Sequence, residues 1–237
     1  IVSMVLAPLF TFLFIYFKWG GVTFNSHEPI SINEHTKYGL LIGIGAVVSQ
    51  LYLPIGGIFL SNMTSDMNQV AIYKVASVIP FALLMLPNMF FKSEFVYLSQ
   101  NHTDKEVVKN YIYSYMYMTI FFSIVLILLG AVFSELIIEY LFGEKYIKSS
   151  ELLVYLLIGV AGAIILRQLF GNLLAAAGKA KLNVINAVIA LIISSLLYWL
   201  FITDRGAEGA AQAFALTTWI SGLITAITYH FSIYRKY

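Results

Sequence analysis

The chain has 237 residues, of which 60% are hydrophobic and 11% are Asp, Glu, Lys or Arg, with a formal net charge of +2 at pH 7. A soluble globular domain keeps about a quarter of its residues charged to cover its surface, so this composition excludes one. The small positive balance sits beside apolar runs and points away from nucleic acid as a partner, and the absence of cysteine excludes a disulfide framework or a thiolate site.

Crossing the roughly 30 Å hydrocarbon layer takes about 20 residues of helix, and seven apolar stretches approach or exceed that length. The first, residues 1–17, begins inside an apolar run with no Met and no positive charge, whereas a signal peptide needs that charge and a small-residue cleavage site. It reads as the last helix of an earlier part of a longer protein, with an even number of spans expected upstream. Residues 18–37, KWGGVTFNSHEPISINEHTK, have the Gly, Pro, Asn and Ser of an interdomain linker. Within it His27, Glu28, Glu34 and His35 read as solvated polarity rather than a metal site, because no helical i,i+4 pairing accompanies them.

The second stretch, residues 38–60, contains LPIGG, which places Pro54, Gly56 and Gly57 in mid-helix, and Gly39 and Gly43, a small-xxx-small pair for close packing. The third, residues 70–91, carries Lys74 and is interrupted by Pro80 and Pro87, each of which removes a backbone hydrogen bond. The fourth, residues 110–134, opens with YIYSYMYM, which matches an interfacial aromatic belt. Residues 152–176 form the fifth, and LLAAAGKAKLNV then makes a tight turn: Gly178 ends one helix, Lys179 and Lys181 lie at the headgroups, and Leu182 begins the next. Residues 182–203 and 209–234 complete the set. The runs are continuous rather than alternating, so they are helices and not barrel strands, and in lipid a helix satisfies its own backbone. The expected fold is an all-α polytopic transmembrane bundle of about seven spans.

Lysine and arginine concentrate in cytoplasmic loops. One alternate set of loops holds Lys18, Lys37, Lys92, Lys105, Lys109, Lys179, Lys181, Arg235 and Lys236, while the opposite set holds Lys145, Lys148 and Arg205. The linker, the 177–181 turn and the C-terminus are therefore expected in the cytoplasm.

Polar residues inside the spans are the candidate site. Arg167 lies ten or so residues from the 177–181 turn, hence about 15 Å deep. An arginine there costs several kcal/mol unless it faces a wet cavity or a partner. Gln168 is beside it and Asn172 one turn on, making a polar stripe. Lys74 is nearer a boundary, where snorkelling would satisfy it. Gln50, Asn88, Asn183 and Asn186 are further lining candidates, with helix–helix hydrogen bonding as the plainer role for such amides. No GxxxxGK[ST] stretch exists to cradle a nucleotide, and no cofactor is expected.

Four stretches carry a family resemblance: MNQVAIYKVASVIPF, IIEYLFGEKYIKSSELL, LLAAAGKAKLNVIN and GAEGAAQAFALTT. In order and spacing they resemble the eighth-span opening, an outer loop, a cytoplasmic turn and the last-span opening of bacterial polysaccharide flippases, a branch of the multidrug/oligosaccharidyl-lipid/polysaccharide (MOP) exporter superfamily. Glu208 departs from the pattern, which is apolar at that position. The resemblance implies a two-lobe fold in which residues 1–17 end the first lobe, residues 18–37 link the lobes, and residues 38–237 form the six-helix C-terminal lobe.

The resemblance further implies a multi-pass transporter of the bacterial cytoplasmic membrane that moves lipid-linked oligosaccharide, on a polyprenyl (pyro)phosphate, from the inner to the outer leaflet. Membrane lipids would surround it, and glycan-assembly enzymes are candidate partners. A hydrated anionic headgroup needs a wet cavity with fixed positive charge, and Arg167, with Lys74 as a second cation, would supply it. Gln168, Asn172, Gln50 and Asn88 would hydrogen-bond sugar hydroxyls. No catalytic residue is assigned. A drug/cation antiporter would want a buried carboxylate, whereas Glu94, Glu135 and Glu139 lie near span boundaries. A membrane-embedded polymerase or acyltransferase would want a large outer loop or a His/Asp cluster. A scaffold subunit that binds the assembly enzymes without transporting anything is a further alternative.

Overall fold

The computed structural model describes residues 51–234 and, before them, Leu40, Gly43, Gly45, Val47 and Val48; for residues 88–93 only the backbone is described. The expected helix 1–17 and the linker 18–37 lie outside the described residues. All regular elements among those described are helical.

A turn at residues 52–54 precedes α1, Ile55–Met63. Pro54 occupies the position before the first helical residue, where its missing N–H costs nothing. Leu40, Gly43, Gly45, Val47, Val48 and Leu51 are helical as well, so LPIGG interrupts a helical stretch at the 52–54 turn, as its proline and glycines lead one to expect. Gly56 is buried because a Cβ there would strike the Tyr73 hydroxyl and the Tyr198 ring. Helix α2, Met67–Leu83, is capped by Asp66, whose carboxylate accepts the Asn68 N–H at 2.9 Å. Pro80 stays inside α2, and the chain breaks at Leu84 before α3, Met85–Gln100, where Pro87 falls in the first turn.

Asp104 caps α4, Lys105–Phe142, by accepting from the N–H groups of Glu106 and Val107 at 3.0 and 3.2 Å. On α4 the tyrosine run divides by helical period: Tyr113 and Tyr117 are 66% and 79% exposed, while Tyr115 is buried against Tyr111. Gly143, with φ of 88°, ends α4. A short 3-10 turn, Glu144–Tyr146, leads to α5, Ser149–Gly162. A π-helical segment, Ala163–Gln168, joins α5 to α6, Leu169–Ala176. Gly178, with φ of 71°, closes that rod while the Lys179 N–H reaches back to the Leu174 carbonyl at 2.8 Å, a left-handed helix stop that a side chain disfavours.

The last helix, α7, Ala180–Tyr229, breaks at Gly206, where φ is 54° and ψ is −125°. A straight helix of that length would extend about 75 Å. The Thr228 hydroxyl oxygen instead lies 3.2 Å from Asn186 Oδ1, so the two arms double back on each other. Polar side chains brace the tip: Arg205 donates to Gln212, Gln212 donates to Glu208, and Gln69 of α2 accepts the Ala207 N–H at 3.1 Å. Glu208, the departure from the flippase pattern, is thus an exposed brace.

Among the described residues, four helices are long and apolar enough to cross a membrane: Met67–Pro87, Lys105–Phe142, Ser149–Ala176 and Ala180–Ile233. Five of the expected stretches fall on them, two on the arms of the last. Close packing relies on small residues. Ala210, Ala211 and Ala213 on the second arm of α7 are wholly buried, and added Cβ atoms at Gly159 and Gly162 of α5 would strike Phe214 and Trp219. The core cluster there includes Leu156, Ile164, Tyr198 and Phe214.

Two ends of the bundle are defined by contacts. The Gln69–Ala207 bond sets the start of α2 beside the Gly206 reversal. At the opposite end, Val108 of α4, Leu173 of α6 and Tyr229 of α7 share one buried cluster.

Candidate functional site

The π segment creates the site. A π turn carries one residue more than an α turn and commonly marks function. Here it lies between α5, held tightly to α7 by glycines, and α6. Gly222 of α7 also abuts it, since a Cβ there would strike Leu166. Arg167 and Gln168 end the π segment, so the wide turn decides the direction in which both side chains leave the rod.

Both point into a cavity of about 300 Å³. Tyr52 and Leu53 from the turn before α1 form one wall, Asn172 of α6 continues the rod, and Asn183, Asn186 and Thr225 on the arms of α7 face it. The Arg167 guanidinium carbon is 3.7 Å from the centroid of the Tyr52 ring. Stacking of this kind holds a cation without neutralising it, leaving the outer edge of the fork for an anion. The Tyr52 hydroxyl is buried next to Ser221 and Arg167 without a well-aligned hydrogen-bond partner.

Gln168 Nε2 donates to the Leu84 carbonyl at 3.3 Å, at the break between α2 and α3. Its Oε1 and Asn186 Nδ2 are buried with no partner among the described residues. A buried amide group left open costs about 1–3 kcal/mol, which favours water or a ligand hydroxyl in the cavity. The cavity thus combines one stacked cation with amide donors and acceptors, and among the described residues none lining it is acidic.

The structure brings together five of the expected residues: Arg167, Gln168 and Asn172, with the further lining candidates Asn183 and Asn186. Lys74 is not with them. It is exposed in a separate groove of about 440 Å³ between α1 and α2, nearer the Gly206 end, and shares only Leu53 with the Arg167 cavity. The exposed position of Lys74 on α2 lets its ammonium avoid the core. Gln50 lies outside the described residues, as do His27, Glu28, Glu34 and His35; Asn88 is in α3, with its side chain not described.

Tyr52 and Thr225 were not signalled as site residues by the sequence. Tyr52 reads as one more apolar residue in QLYLP, and its role comes from the turn that follows it. Thr218, Ser221, Thr225 and Thr228 do recur at helical spacing, a legible hydroxyl stripe. Their hydroxyls, however, all donate to carbonyls of the preceding turn. No family model matches the chain, and neither a curated protein nor a solved structure matches it.

Proposed function

We propose that the chain is the C-terminal lobe of a two-lobe transporter that moves lipid-linked oligosaccharide, a polyprenyl (pyro)phosphate glycan, from the inner to the outer leaflet of the bacterial cytoplasmic membrane. The observation that carries this reading is the Arg167 guanidinium, held inside an apolar helix bundle against a polar cavity of about 300 Å³. A fixed cation at that depth costs several kcal/mol without an aqueous or anionic partner. A diphosphate with its first hydrated sugar supplies both, while the polyprenyl tail remains in lipid. Such a volume is at the small end of ligand sites, so it takes the headgroup and leaves the rest of the glycan to the facing lobe.

The apolar stretches 1–17 and 38–60, read from the sequence as spans, would bring the total to seven with α7 counted as two. The end bearing Lys105, Lys109, Lys179 and Lys181 faces the cytoplasm under the positive-inside rule. The lobes would rock about a midplane site, with no bond made or broken. The described residues that line the cavity include no acid, which speaks against a cation-coupled drug antiporter, since that activity wants a carboxylate there.

The test places the full-length gene in a bacterium lacking its own polysaccharide flippase and compares wild type, Arg167→Lys and Arg167→Ala at matched membrane abundance. The readouts are surface glycan and lipid-linked oligosaccharide stranded on the inner leaflet. Rescue by wild type, partial rescue by lysine and failure by alanine are expected. Equal rescue by all three would remove Arg167 from the mechanism, and no rescue across several glycan types would remove the flippase reading.

A further inference from the structure

A second groove, of about 220 Å³, lies far along the rod from the Lys74 groove, at the end of the bundle where α4 begins and α7 finishes. Lys109 and Tyr113 of α4 form its rim, Ile112 and Phe170 its floor, and Ala226 and Tyr229 of α7 with His230 just after it the far wall. Three helices therefore build it, and one aromatic pair stiffens it: Phe170 lies against Tyr229 with ring centroids 5.6 Å apart. Lys109 is exposed, with its ammonium 5.9 Å from the Tyr113 ring centroid.

The chemistry is amphiphilic in a fixed order. Lys109 is the fifth residue of α4, hence within about 6 Å of the helix start, at headgroup level if α4 crosses the membrane. Ile112 and Phe170 lie deeper, at acyl-chain level. Two nearby acids are engaged: Asp104 caps its own helix, and Glu94 stands beside Tyr111. Glu106 is exposed one turn before Lys109. Lys105, Lys179 and Lys181 are exposed at this same end, so the local charge is positive.

We propose that this groove holds one anionic phospholipid of the surrounding bilayer, its phosphate at Lys109 and the Tyr113 hydroxyl and one acyl chain along Ile112, Phe170 and Ala226. Charge complementarity selects the occupant: a zwitterionic lipid brings its own ammonium to Lys109, whereas phosphatidylglycerol brings a phosphate alone. A basic pocket between helices on the positive side of a membrane protein is a common headgroup site. The bound lipid would bridge α4 to α7, which otherwise meet there through Tyr229 and the α6 rod.

The test uses the chain purified in mild detergent from membranes made with equal phosphatidylglycerol and phosphatidylcholine, followed by quantification of the co-purified phospholipid. Wild type is expected to retain phosphatidylglycerol about fivefold over phosphatidylcholine, the preference that one lysine near a phosphate supplies. Lys109→Gln should bring the ratio close to one, and Lys109→Arg should preserve it. Lys145→Gln is the control, because Lys145 stands over Tyr146 in a similar way but beyond the other end of α4. Equal retention of the two lipids by wild type, or an unchanged ratio in Lys109→Gln, would overturn the proposal.

Discussion

Arg167 lies flat over Tyr52, with its guanidinium carbon 3.7 Å from the ring centroid, and the two residues come from elements 115 positions apart in the chain. The contact joins the turn before α1 to the π segment and sets where the Arg167 charge points. It also gives Tyr52 a positioning role that does not depend on its hydroxyl.

The pair should show energetic coupling. A double-mutant cycle with Tyr52→Leu and Arg167→Gln, measured by thermal unfolding in detergent, is expected to give about 1–2 kcal/mol, the range for a partly desolvated cation–π contact. Tyr52→Phe should keep most of that coupling, because the ring face remains. A coupling near zero would mean that each residue is held by its own surroundings.

The π segment should matter for direction rather than for helicity. Deleting Ile165 allows the wide turn, Ala163–Gln168, to close to an α-helical one and rotates Arg167 by about 100° relative to α5. Circular dichroism is expected to remain helical, while surface-glycan rescue falls to the level of Arg167→Ala. Retained rescue would show that the π turn does not set the site.

Glycine positions divide by what faces them. Gly159→Leu drives a side chain into Phe214 and the Ala215 backbone, overpacking expected to cost about 1–3 kcal/mol in detergent unfolding. Gly43→Ala, where nothing lies within 4 Å, should change stability little. Equal effects at both positions would contradict the close approach of α5 to α7.

The hairpin at Gly206 gives a further test. With φ of 54°, an alanine there carries a left-handed strain of about 1–2 kcal/mol, and its Cβ also meets Gln69 Oε1. Gly206→Ala is expected to lower the melting temperature clearly. Gln69→Leu loses the bond to the Ala207 N–H and should cost about 1 kcal/mol. A Gly206→Ala protein as stable as wild type would argue against the reversal.

The sequence by itself determined that the chain is helical and built for a membrane, because continuous apolar runs leave the backbone no other way to satisfy its hydrogen bonds in lipid. It also singled out Arg167, Gln168 and Asn172, since a charge and two amides at helical spacing inside such a run stand out against apolar neighbours. Only the tertiary structure decided which residues share a cavity. Lys74 and Arg167 look equivalent as intraspan cations, yet Lys74 lies in its own groove near the Gly206 end, while Tyr52 joins Arg167 through a turn whose proline looks like a kink. Hydropathy and spacing report on one helix at a time. The π turn, the left-handed Gly206 and the approach of α5 to the alanine arm of α7 arise from packing between helices, and they set the directions in which the polar groups face.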